Sequence, residues 1–221
     1  MLEVLTILLV LIIFSFISFQ KKLLNLKGII FADLVGLITY YSGGVIAFFT
    51  IVFFYLIAEF ATKLSRNDKK KHEQRTTSNI LGNAGAAIIA LLFGQFVPFF
   101  GAIAAALADT VSSEIGMLST KKPRLITNFS KVESGTDGGI TFLGTITGAI
   151  ASVLIAIIYF LFIENSLKIA GIIAFAGFCG TLIDSLLGAI FERHGKLSNT
   201  QVNFIASSSG AIIVFILIAL L

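Results

Sequence analysis

Two acidic residues, Asp109 and Asp184, stand inside long apolar stretches of this chain, and each is flanked by small or hydroxylated residues. A charged side chain at the centre of a lipid-facing helix costs about 3 kcal/mol on insertion scales. Such residues therefore face a protein interior, a water-filled cavity or a bound cation. The pattern predicts that both carboxylates belong to a polar functional site. The alternative is a pair of helix–helix hydrogen-bonding contacts.

A second chemical signal lies in the segment 119–138, which joins the stretch containing Asp109 to the next apolar run. It holds four cations and leads into the glycine-rich turn formed by Gly135, Thr136, Asp137, Gly138 and Gly139. Glycines let a backbone approach a ligand closely, and a helix that begins after such a turn offers free N–H groups to an anion. Two of the cations, Arg124 and Lys131, could add charge to phosphate oxygens. The alternative is a basic, topology-setting loop with a flexible turn.

Carboxylates beside a phosphate-binding turn suggest a magnesium site, because Mg²⁺ takes a few carboxylate oxygens and completes its shell with water and substrate phosphates. We therefore predict Asp109, Asp184 and Glu114 as catalytic residues and metal ligands. Glu114 is the weakest of these, since five residues along an ideal helix turn it about 140° away from Asp109. Ser113 and Ser185, which stand next to these acids in sequence, complete the predicted phosphate-binding site together with Asn83, which lies near the start of a different apolar stretch. For Asn83 the alternative is a role in helix capping or packing.

Composition sets the fold class. The 221 residues are 57% hydrophobic and only 13% charged, and the mean hydropathy is +0.99. A soluble domain would carry about twice that share of charge. Since a membrane-spanning helix needs about 20 apolar residues, apolar segments consume nearly the whole chain. The sequence predicts an all-α, polytopic membrane helix bundle, with residues 1–221 forming a single integral-membrane domain.

Eight membrane segments are predicted. The second is short, and the residues Ser42, Gly43 and Gly44 make it either one arm of a tight hairpin or a re-entrant piece. The predicted segments are Leu2–Phe19, Gly28–Tyr41, Val45–Thr62, Asn79–Val97, Phe99–Leu118, Gly139–Ile163, Lys168–Phe191 and Gln201–Leu220.

Basic residues set the predicted orientation. With eight segments, the loops 20–27, 63–78, 119–138 and 192–200 share one side, and they hold all of the 16 Lys and Arg residues except Lys168. This asymmetry assigns those loops to the cytoplasm and both termini to the outside. It also explains the net charge of +4 without a nucleic-acid partner. Asp109 and Asp184 then lie at similar depths in a site that faces the cytoplasm.

Four motifs, in this order, resemble those of a known integral-membrane family: ADTVSSEIG at residues 108–116, PRLIT at 123–127, GTDGGITFLGT at 135–145 and GTLIDSLLGA at 180–189. Arg75 followed by NILGN at 79–83 resembles a further stretch less closely. That family includes the plant and cyanobacterial phytyl-phosphate kinases and the animal transmembrane-protein-nineteen group. The chain departs from the pattern at Asp137, where the family often has Ser, and in lacking an aromatic residue after Thr110.

The resemblance implies a membrane kinase that transfers a phosphoryl group from a nucleoside triphosphate, CTP above all, to an isoprenyl monophosphate. It implies Mg²⁺ as cofactor, and nucleotide, isoprenyl-phosphate lipid and membrane lipids as partners. We expect the plasma membrane of a prokaryote as the location. A cation- or proton-coupled transporter that uses Asp109 and Asp184 is the alternative, and a nucleotidyltransferase on the same scaffold is a third reading.

Overall fold

A computed structural model describes residues 2–65 and 75–221, and the middle of the predicted loop 63–78 lies outside these residues. Within them the chain is a helical bundle with one small antiparallel ribbon. The elements in chain order are α1 (Leu2–Gln20), α2 (Leu26–Ser65), α3 (Thr77–Leu92), α4 (Phe96–Gly116), β1 (Arg124–Leu125), β2 (Gly139–Ile140), α5 (Phe142–Phe162), α6 (Leu167–Ile190), a 3₁₀ turn (Glu192–His194) and α7 (Asn199–Ala219).

Six of the helices in the described residues are long and apolar enough to cross a membrane. The exception is α3, whose 16 residues span about 24 Å, less than the ~30 Å of a hydrocarbon core. The predicted class, an integral-membrane helical bundle, is confirmed. The count of eight segments and the placement of both termini outside stay predictions.

Predicted segments two and three form the single element α2, which bends at Gly44, where the backbone adopts φ 74° and ψ −172°. A Cβ atom added at Gly36 would lie 3.3 Å from the ring of Phe48. Twelve residues of straight helix would separate these positions by about 18 Å. Farther from the bend, Tyr55 packs against the buried cluster that contains Ile29. The two halves of α2 therefore fold back on each other, as the hairpin interpretation expected.

The boundary between α3 and α4 differs from the prediction, which ended one segment before Pro98 and began the next after it. The chain turns earlier, at Gly94, where φ is 70°. Pro98 instead lies in the first turn of α4. Proline is accepted there because the first backbone N–H groups of a helix have no intrahelical partner.

Helix α4 is the centre of the bundle and contacts α2, α3, α5, α6 and α7. Every residue from Pro98 to Ala108 is buried. Small residues make this crowding feasible. A Cβ added at Gly101 would lie 2.6 Å from the carbonyl oxygen of Gly210 in α7, and one at Gly148 in α5 would lie 3.1 Å from the carbonyl oxygen of Ala108. Backbones that approach this closely fix the neighbouring side chains in place.

Candidate functional site

The contact between α4 and α6 brings the two intramembrane acids together. A Cβ added at Gly177 would lie 2.7 Å from the Cβ of Ala104, and one at Gly180 would lie 2.4 Å from the Cβ of Ala105. The contacts advance in the same direction along both helices, so the helices run parallel. Asp109 follows Ala105 by four residues and Asp184 follows Gly180 by four. Each acid is thus one helical turn beyond the same contact.

As a result, the carboxyl groups of Asp109 and Asp184 lie within hydrogen-bonding distance of each other. Both residues are partly buried. Two carboxylates at such a separation repel unless a proton or a cation lies between them. Their oxygen atoms match the hard cations Mg²⁺ and Ca²⁺, which prefer oxygen ligands. The pair therefore fits a divalent cation that draws its remaining ligands from water and substrate.

The two acids open into a cleft with about 850 Å³ of empty space, part of which is open to the surroundings. We call this cavity the acidic cleft, because two more carboxylates, Asp137 and Glu192, line it and add negative charge near Asp184. Within the described part of the chain, no Lys or Arg side chain lines the cleft. Phosphate groups entering it would need cations to neutralise their charge.

Amide side chains from α7 support these acids. The amide of Asn203, oriented so that its nitrogen has acceptors, donates to Asp184 Oδ2 over 3.2 Å and to the carbonyl oxygen of Asn199 over 3.1 Å. The side chain of Asn199 in turn bonds Glu192. These contacts restrain a carboxylate that would hold a metal, which is the usual role of outer-shell partners.

The glycine-rich loop covers the cleft. Gly138 has a φ of 74°, and a Cβ there would lie 2.4 Å from the backbone nitrogen of Ala189 in α6. Glycine at this position lets the loop dock on the end of α6 close to Asp184. Four residues of this loop line the cleft, namely Gly135, Thr136, Gly138 and Gly139. Helix α5 begins directly after the loop, where the Thr141 side chain accepts a hydrogen bond from the Gly144 nitrogen.

The turn offers fewer free donors than the sequence suggests. The Gly139 nitrogen donates to the Thr136 carbonyl oxygen over 2.9 Å, and the Thr136 nitrogen donates to the Glu133 carbonyl oxygen over 3.2 Å. The folding of the loop uses these two N–H groups, and phosphate binding by the turn stays a prediction. The turn lines the cleft and brings Gly138 close to Ala189 of α6.

Two predicted phosphate ligands, Arg124 and Lys131, do not line the cleft. Their backbones form an antiparallel β-bridge on the exposed ribbon of the loop. The Arg124 side chain donates through Nη1 to the Phe129 carbonyl oxygen over 2.9 Å. In the same loop, Lys122 Nζ lies 2.6 Å from Glu133 Oε1, and this hydrogen-bonded ion pair lowers the pKa of Glu133 below its usual value. The side chains of Arg124 and Lys122 therefore make their contacts within the loop.

Glu114 does not join Asp109 and Asp184. It faces α2, where Thr62 Oγ1 donates to its Oε1 over 3.0 Å and Ser65 Oγ donates to its Oε2. The straight helical phase of α4 explains this separation. Among residues 2–65 and 75–221, no group of three or more His, Cys, Asp or Glu side chains is arranged to hold a metal ion. The structure therefore places Glu114 apart from the pair Asp109 and Asp184, and the three-carboxylate metal site stays a prediction.

The other predicted residues divide between two places. Ser113 and Ser185 line the acidic cleft, and Ser113 Oγ donates to the Asp109 carbonyl oxygen over 3.0 Å. Asn83 lies elsewhere, facing a cavity between α1, α2 and α3.

Sequence reasoning missed Asn199, Asn203 and Glu192. The four-residue spacing of the two asparagines, at the start of an apolar run, was the signal that could have found the first two.

The match to a family model decides the affiliation of the chain. The model for integral membrane protein DUF92 matches residues 9–211. The chain belongs to this family of integral membrane proteins. This result confirms the family that the four sequence motifs indicated.

Individual relatives agree with this assignment. An uncharacterized membrane protein of Methanocaldococcus jannaschii is 36% identical over 205 residues, which cover 88% of this chain and 85% of the relative. Protein PGR of Arabidopsis thaliana is 30% identical, covering 83% of this chain and 77% of that protein. The chloroplastic protein VTE6 of the same plant is 27% identical, covering 88% of this chain and 65% of that protein. No solved structure matches the chain significantly.

Proposed function

We propose that this DUF92 protein is a membrane kinase that transfers a phosphoryl group from a nucleoside triphosphate to an isoprenyl monophosphate, giving the diphosphate. The observation that carries the proposal is the facing pair Asp109 and Asp184 beneath a glycine-rich loop at the ends of α4 and α6. The reaction and the substrates come from the resemblance of the four motifs to the phytyl-phosphate kinase family, and CTP is the nucleotide that this resemblance favours.

The chemistry suits this cleft. An ionised oxygen of the isoprenyl monophosphate attacks the γ-phosphorus, the new oxygen–phosphorus bond forms, and the bond to the β–γ bridging oxygen breaks, so that its electron pair leaves with the nucleoside diphosphate. The attacking oxygen needs no strong base, because a phosphomonoester is already ionised near neutral pH. Phosphoryl transfer depends mainly on positioning and on neutralising phosphate charge.

The chain's own residues supply the positioning. Asp109 and Asp184 would hold Mg²⁺, which neutralises phosphate charge when bound. Asn203 restrains Asp184 through the hydrogen bond described above. The loop closes one wall of the cleft, with Gly138 against α6. The first turn of α5 presents the positive end of a helix dipole to the same space. Because the cleft carries four carboxylates, we expect the nucleotide to enter as its metal complex.

The same carboxylate pair is what a cation- or proton-coupled transporter would use, so transport is the second candidate. A transporter needs a water-accessible route beyond the pair. The lining of the acidic cleft includes none of the α4 residues before Asp109, and the whole stretch Pro98–Ala108 is buried. In this fully described helix the cleft ends at the acids, which favours a blind pocket for chemistry over a pathway.

Purified protein tests the proposal directly. It is incubated with Mg²⁺, a γ-labelled nucleotide (CTP, ATP or GTP in separate reactions) and each of several isoprenyl monophosphates of different chain length. We expect label to appear in an isoprenyl diphosphate, and the Asp184→Asn variant to yield none. Nucleotide binding without transfer to any isoprenyl phosphate would overturn the substrate class. Absence of saturable Mg²⁺–nucleotide binding by a folded preparation would overturn the kinase and favour the transporter.

A further inference from the structure

A second large cavity lies apart from the acidic cleft, between α1, both halves of α2 and the first turns of α3. It encloses about 1490 Å³ of empty space, part of which is open to the surroundings. We call it the α1–α3 cavity. Its walls are mostly apolar, and small residues leave the room inside it: Ala32, Gly36 and Ala84. None of the contacts that carry the proposed function involves these walls.

The cavity has one polar end and one apolar end. Charged and amide side chains line only the end where α1 finishes and α3 begins: Lys21, Glu59, Lys63, Arg75, Asn79 and Asn83. The other end is formed by Val10 and Phe48. Along α2, the eleven residues from Phe48 to Glu59 correspond to about 16 Å, or roughly half the thickness of a bilayer hydrocarbon core. A cavity with these dimensions and this polarity matches an amphiphilic molecule that enters it from one leaflet of the membrane.

Charge at the polar end favours an anionic head. Among the residues that the structure describes, three cations line it, against one lining carboxylate, that of Glu59. Arg75 is held in place, since its Nη2 donates to Thr62 Oγ1 over 3.1 Å and its Nε lies 4.0 Å from Glu59 Oε2. An Arg that is already positioned binds a phosphate with little further loss of side-chain freedom.

An unsatisfied acceptor gives independent evidence of a ligand. Asn83 is only 7% exposed and lines the cavity. Its Nδ2 donates to the Asn79 carbonyl oxygen over 3.0 Å, which fixes the amide orientation. Its Oδ1 is buried and has no hydrogen-bond partner among the residues that the structure describes. A buried acceptor without a partner costs free energy, and a ligand that carries a hydroxyl group would satisfy it.

The cavity is also open sideways. Three large apolar residues of its rim, Ile13, Ile17 and Leu56, are between 41% and 59% exposed. In a membrane these positions face lipid, so a lipid chain can pass between α1 and the second half of α2 without crossing water. Only α2 makes extensive contact with α1 among the described elements. The entrance is therefore flanked by the helix that is held least firmly.

We propose that the α1–α3 cavity binds an anionic phospholipid from the surrounding membrane, with the phosphate at Arg75, a head-group hydroxyl at Asn83 and one chain along the apolar walls. This lipid is not the reacting molecule. Arg75 donates to Thr62, which donates to Glu114 on α4, and five residues of ideal helix turn Glu114 about 140° away from Asp109. The bound lipid instead fills the space that separates the hairpin of α2 from α3.

Native mass spectrometry of the full chain tests the proposal. The protein is exchanged into nanodiscs that contain equal amounts of phosphatidylglycerol and phosphatidylcholine, released into mild detergent and measured for retained lipid. We expect phosphatidylglycerol to be retained over phosphatidylcholine by at least about fivefold, the effect expected of one basic residue on an anionic lipid. Retention without such a preference, or no retained lipid, would overturn the proposal.

Variants with matched controls locate the lipid. Arg75→Gln should remove the preference for phosphatidylglycerol, and Lys168→Gln, which changes a cation far from the cavity in sequence and outside its lining, should keep it. Ala84→Phe should reduce the retention of both lipids by filling the cavity. Its control, Ala211→Phe, enters a separate groove between α3 and α7 and should not. Equal retention by Ala84→Phe and wild type would place the lipid elsewhere.

A competition experiment separates this site from the substrate site. Geranylgeranyl phosphate is added to the lipid-loaded protein without Mg²⁺ or nucleotide. We expect phosphatidylglycerol to stay bound. Displacement by geranylgeranyl phosphate, together with loss of phosphoryl transfer in Ala84→Phe, would assign the cavity to the substrate and overturn the proposal. Since lipid retention requires no turnover, the result stands whether or not the protein proves to be a kinase.

Discussion

Asp109 and Asp184 meet because each lies one helical turn beyond the contact between Ala105 and Gly180, where two parallel helices approach at backbone distance. The spacing of the small residues therefore determines where the acids meet, and the polarity of the cleft follows from it. Two carboxylates that face each other in a membrane protein require a cation or a proton between them.

The first prediction concerns that pair. We expect Asp109→Asn and Asp184→Asn each to lower Mg²⁺-dependent phosphoryl transfer by more than about 100-fold, above the range typical of outer-shell partners, because a neutral amide is a poor Mg²⁺ ligand. Glu114→Gln is the control, since Glu114 faces α2, and it should keep most of the activity. Size-exclusion profiles and thermal unfolding check that the variants fold. Near-normal turnover in both Asp variants would make the acids structural.

The second prediction concerns Asn203, which donates a hydrogen bond to Asp184. Asn203→Leu keeps the branched shape of the side chain and removes the donor, so we expect the Mg²⁺ concentration needed for half-maximal activity to rise by about tenfold, within the range for outer-shell partners. Excess Mg²⁺ should restore the maximal rate. Gln201→Leu, at the exposed start of α7, is the comparison. An unchanged Mg²⁺ dependence in Asn203→Leu would remove Asn203 from the site.

Sequence reasoning predicted what depends on local pattern. Apolar runs placed the helices, the glycines before Val45 placed the bend in α2, and counting residues from the helix ends placed Asp109 and Asp184 at similar depths. The helical period also predicted that Glu114 turns away from Asp109. Each of these results follows from a local sequence pattern, such as an apolar run, a helical period or a pair of glycines, within a single segment.

The differences between the predicted and the observed arrangement of the site share a cause. The directions of Arg124 and Lys131 depend on the ribbon between β1 and β2, which pairs residues far apart in sequence. The N–H group of Gly139 is used by Thr136, so a glycine-rich motif did not mean free donors. Asn203 reaches Asp184 only through the packing of α7 on α6. Such contacts are set by tertiary packing, which the local patterns of a single sequence do not determine.

The third prediction concerns orientation. If the basic loops lie in the cytoplasm, Ser130→Cys and Ser198→Cys, made in a Cys179→Ala background that leaves no other cysteine, should resist an impermeant thiol reagent in intact cells and react after lysis. Both serines lie in segments outside the long helices, which makes them accessible from whichever side they face. Labelling of Ser130→Cys in intact cells would place the acidic cleft on the outer side.

The fourth prediction separates the cleft from the loop's outer surface. Arg124 is exposed and donates to the Phe129 carbonyl oxygen, and it does not line the cleft. We therefore expect Arg124→Ala to change nucleotide affinity by less than about twofold, the range for surface substitutions, contrary to the role that the sequence suggested. Calorimetry with Mg²⁺ and CTP measures it. A loss of tenfold or more would mean that the loop rearranges so that Arg124 reaches the nucleotide.

The last prediction uses two glycines that share a backbone conformation and differ in their surroundings. Gly138 and Gly195 have φ values of 74° and 68°. A Cβ at Gly138 would lie 2.4 Å from Ala189, whereas a Cβ at Gly195 would meet nothing within 4 Å. Alanine at either position bears the cost of a positive φ, about 1–2 kcal/mol. Only Gly138→Ala must also push the loop away from α6.

We therefore expect both variants to lose thermal stability from backbone strain, with the larger loss in Gly138→Ala because of its contact with Ala189, and Gly138→Ala alone to lose nucleotide binding and phosphoryl transfer. The measurements are thermal unfolding in detergent, calorimetry with Mg²⁺ and CTP, and the transfer assay, applied to both proteins in parallel. Wild-type activity in both variants would show that the docking of the loop on α6 is unnecessary. Equal loss would point to strain rather than to docking. Loss confined to Gly138→Ala would mean that the approach of Gly138 to Ala189 shapes the cleft around Asp184.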